Sequence, residues 1–156
     1  MMRRLAPLAL VLLTAAAPAR LTEPQVRAFV ARQSAAWNAR DLAGWAATFT
    51  PDARFTDQAL ANSNTIVPYG SSSLKEAQVQ VRKTFAKGPA GEVLVIDSVT
   101  LAPDGRGARV SAHAVSQSGG QRVCAQRIET VALTRRGLKA TAQTDTIVRC
   151  RPAPLR

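Results

Sequence analysis

Four runs of β-branched and apolar residues, joined by tight turns, fill the second half of the chain and constrain its fold more than any other feature. Val93 to Leu101 leads into the turn Pro103-Asp104-Gly105, and Ala108 to Gln117 into Ser118-Gly119-Gly120-Gln121. Arg122 to Thr134 then passes through Arg135-Arg136-Gly137 into Leu138 to Cys150. Proline presets φ for a turn, and glycine supplies the positive φ that short hairpin loops require. The pattern therefore predicts four long antiparallel strands.

Helices come first. Thr22 can cap a helix with Pro24 in its first turn and Gln25 as capping-box partner. Val26, Phe29, Val30, Gln33 and Trp37 then recur at helical spacing. Asp41 reads as the cap of a short second helix carrying Leu42, Trp45, Ala46 and Phe49, ended by Thr50-Pro51-Asp52. A short strand is expected from Ala53 to Asp57. Ala59 to Ser72 is polar and turn-rich and reads as a loop, with room for a short strand at Thr65 to Val67. Ser73 and Glu76 form a second capping box. Leu74, Ala77, Val81 and Phe85 mark the buried face of a third helix, stopped by Gly88-Pro89. The expected class is α+β: three N-terminal helices packed on a curved antiparallel sheet, together a cone-shaped barrel.

The chain begins with a positive head, Met1-Met2-Arg3-Arg4, an apolar run from Leu5 to Ala17, and small residues at Ala17-Pro18-Ala19. At about 1.5 Å per residue that run reaches only about 20 Å, short of a hydrocarbon core of roughly 30 Å. It reads as a cleaved signal peptide, residues 1–19, and implies a periplasmic or secreted domain at 20–150 with a disordered tail at 151–156. No membrane contact is expected after cleavage.

The net charge of +11 would suit nucleic acid. However, the basic residues are scattered from Arg27 to Arg151 without a Lys/Arg run or interleaved aromatics, and export removes most nucleic acid from reach. A small organic ligand is the expected partner, and the basic balance favours an anionic one. Cys124 and Cys150 are the only cysteines. In an oxidising compartment they read as one disulfide across the last hairpin, because a turn centred on Gly137 sets them opposite one another, and turns centred slightly earlier offset them by one or two positions. His113 is the only histidine, and no CxxC or HxxxH spacing, phosphate loop or Ser-His-Asp order is present. Neither a metal nor a cofactor is implied.

Trp37-Asn38-Ala39-Arg40-Asp41-Leu42 through Trp45, followed by Phe49-Thr50-Pro51-Asp52-Ala53-Arg54-Phe55, resembles the opening of the nuclear transport factor 2-like superfamily. The SnoaL-like and ketosteroid-isomerase-like members are the most similar. Leu133-Thr134-Arg135-Arg136-Gly137-Leu138-Lys139 fits the same pattern, and the resemblance spans roughly Leu21 to Val148. It implies a ligand pocket between the helices and the concave face of the sheet. The superfamily hosts isomerases, dehydratases, cyclases, epoxide hydrolases and non-enzymatic binders, so the resemblance does not select a function. Such domains often carry a tryptophan after the final turn glycine, where this chain has Leu138. From Val93 to Cys150 there is no aromatic residue, so a stacking pocket would be built from the helices.

Ketosteroid isomerases use a carboxylate base with acidic or phenolic donors. By position Asp57 is the carboxylate match, against the plainer reading of an exposed turn residue. Tyr69 is the only phenol and lies in the polar stretch, where it is either a lid or a surface residue. His113 could serve as general base, against a structural or surface role. A turn at Gly119-Gly120 sets His113 opposite Gln126, on one face with Ser111, Ile128 and the cysteines. Asp145 falls opposite Arg127, an ion pair first and a site second. Asp41 and Asp52 read as cap and turn residues, and Trp37 as core or pocket floor.

Three readings follow. The first is an exported small-molecule-binding pocket protein using Trp37, Tyr69 and Gln126. The second is an isomerase or dehydratase using Asp57 and His113 for proton transfer, provided both point into one cavity. The third is a module that homodimerises through the open face of its sheet.

Overall fold

The computed structural model describes residues 20–150 apart from 63, 89 and 119, so the expected signal peptide and C-terminal tail lie outside the described residues. α1 (Glu23–Asn38) starts where Gln25 Oε1 accepts from the Thr22 amide at 2.9 Å. α2 (Leu42–Ala46) starts where Asp41 Oδ1 accepts from the Gly44 amide at 2.8 Å. α3 (Leu74–Ala86) starts at the Ser73/Glu76 capping box. Each cap satisfies amides that the first turn leaves without an intrahelical partner.

The strands are β1 (Phe49–Leu60), β2 (Ile66–Ser73), β3 (Ala90–Leu101), β4 (Gly107–Ser118), β5 (Gln121–Thr134) and β6 (Gly137–Val148). They form one six-stranded sheet in the order β2-β1-β6-β5-β4-β3, curved around the helices and not closed. The four-stranded meander β3 to β6 has the expected antiparallel order. Three expectations are corrected. The second helix stops at Ala46 instead of carrying Phe49, and Phe49 with Thr50-Pro51-Asp52 joins the short strand expected at Ala53 to Asp57 in a twelve-residue strand running parallel to β6. The short strand allowed at Thr65 to Val67 is the start of β2, which runs on to Ser73 through the expected loop and pairs antiparallel with β1. β2 lies at the sheet edge, where Pro68 withdraws no donor from a central ladder. Tyr69 is an extra residue between Pro68, opposite Gln58, and Gly70, opposite Asp57.

The core lies between the helices and the concave face. Val26, Phe29 and Val30 of α1 and Ala77 and Val81 of α3 pack with Trp45, Phe49, Phe55, Val110, Val131 and Ala140. Trp45, Phe49 and Phe55 form a ring cluster with centroids 4.8–5.9 Å apart. Asn38 clamps the end of α1 to the start of β3 by donating to Glu92 O at 2.9 Å and accepting from Glu92 N at 2.8 Å. Among the described residues no helix is long and apolar enough to cross a membrane.

Candidate binding cavity

Strand pairing sets one row of residues side by side. Asp57 of β1 pairs with Asp145 of β6, Asp145 with Arg127 of β5, and Arg127 with Ala112 of β4. Since neighbours across a ladder share a face, this row faces the helices, and Glu92 at the start of β3 reaches it from the side. The row closes a cavity of about 170 Å³ whose wall includes Trp37, Trp45, Phe55, Val81 and Leu94.

Arg127 is held from two directions. Its Nε and Nη2 donate to Asp145 at 2.7 and 3.0 Å, and its Nη1 and Nη2 donate to Glu92 at 2.8 and 2.9 Å. Both contacts are bidentate, the strongest geometry available to a guanidinium. Burial alone would favour the neutral form, but the charges of Asp145 and Glu92 outweigh it and hold the Arg127 pKa above its usual value. Gln143 Nε2 donates to Asp145 at 2.9 Å.

Asp57 stands at the cavity mouth with no hydrogen-bond donor among the described residues. Partial burial, and then the negative charge of Asp145, raise its carboxyl pKa. Gly70 opposite leaves it room, as a Cβ there would lie 3.2 Å from Oδ2. Deeper in, Glu129 accepts from Gln33 Nε2 at 2.9 Å. Burial pushes its carboxyl up to about 7, against the lowering effects of Gln33 and Arg127. The Trp37 indole Nε1 is also buried without an acceptor among the described residues.

Of the residues singled out in the sequence, Asp57, Trp37 and the expected ion pair Asp145 and Arg127 line this cavity. Tyr69 sits outside it, 63% exposed on β2, where partial burial and the charges of Asp57 and Asp145 raise its phenol pKa. His113 follows Ala112 in β4 and so points to the other face, where its Nδ1 lies 2.6 Å from Asp97 Oδ2. It lies opposite Gln126, as the turn predicts, and both line a separate groove of about 720 Å³ on the outer face with Cys124, Val148 and Arg149. The joint proton-transfer site of Asp57 and His113 is therefore corrected: one residue of alternation places the sheet between them. Cys124 and Cys150 form the expected disulfide. Among the described residues no group of His, Cys, Asp and Glu could hold a metal ion.

Glu92, Glu129, Gln33 and Gln143 were missed. For Glu129 and Gln143 the available signal was the period-two series Arg127, Glu129, Val131 on β5 and Gln143, Asp145 opposite it on β6, which puts polar groups on the same face as the buried Val131. The pocket wall also draws Phe55 from β1, so its aromatic side does not come from the helices alone.

No protein-family model matches the chain, and no curated protein sequence matches it. Solved structures do. A domain of unknown function with a cystatin-like fold from Nostoc punctiforme superposes with a TM-score of 0.63 at 17% identity, covering 83% of this chain and 81% of that one. An NTF-2 like protein of unknown function from Shewanella oneidensis gives 0.62 at 10% identity, covering 79% and 97%. A ketosteroid isomerase-like protein from Erwinia carotovora atroseptica gives 0.59 at 13% identity, covering 81% and 96%. At such identities the likeness concerns the backbone: this chain has the cystatin-like, nuclear transport factor 2-like fold.

Proposed function

We propose that the chain is an exported pocket protein that binds a small organic molecule in the inner cavity. One observation carries the reading: a doubly bidentate guanidinium–carboxylate network faces an aromatic wall inside a cavity of about 170 Å³. Buried ion pairs are often no more stabilising than apolar packing of the same volume, which supports a role in recognition. An apolar wall with a few convergent polar groups is also the usual make-up of a small-molecule site. Export rests on the charged head, apolar run and small residues of 1–19. The Cys124–Cys150 bond agrees with it, because disulfides persist in oxidising compartments.

A second reading has one specific observation in its favour. Asp57 is a carboxyl whose pKa is raised by partial burial and by the neighbouring Asp145, which suits a group that takes up and returns a proton. In that reading Asp57 acts without His113.

Binding can be followed through Trp37 and Trp45, which line the cavity. A fragment screen read by tryptophan emission should return saturable binders. Ser34 of α1 also lines the cavity, and binding should be lost in Ser34→Phe, which fills it, while helix content by circular dichroism stays unchanged. Binders that Ser34→Phe holds as tightly as the wild type would contradict the reading.

A further inference from the structure

We propose that the inner cavity selects a small organic cation, an ammonium or related nitrogen base with an apolar body. The inference deepens, and rests on, the reading of this cavity as a binding site. The ionisable lining residues are Asp57, Glu92, Asp145 and Arg127, three carboxyl groups against one cation. Arg127 is committed to both Glu92 and Asp145 through four hydrogen bonds of 2.7–3.0 Å, so it has little left to offer an anionic guest. Glu129, the next carboxyl inward, is held by Gln33 and adds no positive charge.

Asp57 is the uncompensated member. The parallel pairing of β1 with β6 places it directly beside Asp145, and like charges so placed repel. Arg127 relieves Asp145 and leaves Asp57 without a cationic partner among the described residues. Placed between the two carboxylates, an ammonium group would remove that repulsion and supply donors to oxygens that lack them. Its hydrocarbon part would meet Trp37, Trp45 and Phe55, aromatic surface that also attracts cations. This is the reverse of the anionic ligand expected from a net charge of +11. In a partly water-excluded cavity the nearest charges outweigh those spread over the surface, which solvent and salt screen.

A matched series at pH 7 tests the proposal: benzylamine as the cation, benzyl alcohol as the neutral analogue and benzoate as the anion, each titrated by calorimetry. Benzylamine should bind at least about tenfold more tightly than benzyl alcohol, a preference of roughly 1.4 kcal/mol, and benzoate most weakly. Asp57→Asn should shrink the preference for the amine while leaving benzyl alcohol unchanged. Benzyl alcohol binding as tightly as benzylamine, or benzoate binding tightest, would overturn the charge assignment and leave the cavity reading standing. No binding by any of the three would overturn it as well, and the fragment screen with Ser34→Phe then judges the cavity on its own.

Discussion

Glu129 shows how one buried residue couples the site to stability. It is 1% exposed and hydrogen-bonded to Gln33, and burial raises its carboxyl from 4.5 to about 7. Below pH 4.5 it is protonated in both the folded and the unfolded chain and makes no difference. Between 4.5 and about 7 the unfolded chain gives up the proton first, so stability falls as pH rises, and above that range the loss is constant. Glu129→Gln keeps the contact to Gln33 and removes the titration. It should be more stable than wild type by up to about 3 kcal/mol near pH 8 and no different near pH 4, as read from urea midpoints at the two pH values. An equal difference at both would refute the buried-acid account. Residue-level legibility was uneven. Arg127 opposite Asp145 follows from turn arithmetic, and Asp57 from its place on the first strand. Glu92 does not, because it falls between the Gly88-Pro89 stop and the apolar run from Val93, while β3 begins at Ala90.

The elements were most legible where local chemistry and tertiary pairing agree. All three helices start at the predicted caps, Thr22, Asp41 and Ser73, and the meander has the predicted order, although β3 begins at Ala90 and β6 ends at Val148. β2 was legible only at its start, where the sequence has room for a short strand at Thr65 to Val67, because beyond Val67 its strand character comes from pairing with β1 and not from its own Pro68-Tyr69-Gly70 sequence. The last hairpin shows the same limit. Thr134 pairs with Gly137 around a two-residue turn, and a bulge at Thr130/Val131, with Thr141 as the extra residue, then shifts the ladder. As a result Cys124 pairs with Val148, and Cys150 reaches it from two residues beyond that partner, the larger of the offsets the sequence allowed. The bond spans a sequence separation of 26 and ties the end of β6 to β5. Closing a loop of that size should contribute about 3 kcal/mol by restricting the unfolded chain. Reduction should therefore lower the melting temperature, with amide exchange near Val148 rising first. An unchanged melting temperature after verified reduction would contradict this.

At the scale of the whole molecule, the sheet separates two surfaces of different chemistry. The concave side holds the acidic network and the aromatic wall under the helices. The convex side holds His113, Asp97 and Gln126, with Val93 and Val95 exposed on the edge strand. The face assignment, and with it the choice of site, depended on a register that hydrophobic patterning alone left open by one residue. Structures that share this backbone at 10–17% identity show that the fold tolerates wide change in sequence, so function has to be argued from the side chains themselves. The central claim is that the concave cavity, and not the outer groove, is the binding site. Its most direct test is an amide chemical-shift map of the isotope-labelled protein titrated with benzylamine. The account predicts saturable shifts at Phe55, Asp57, Leu94, Arg127, Gln143 and Asp145, with His113 and Gln126 unmoved. Shifts centred on His113, Gln126 and Val148, with the cavity residues silent, would contradict it.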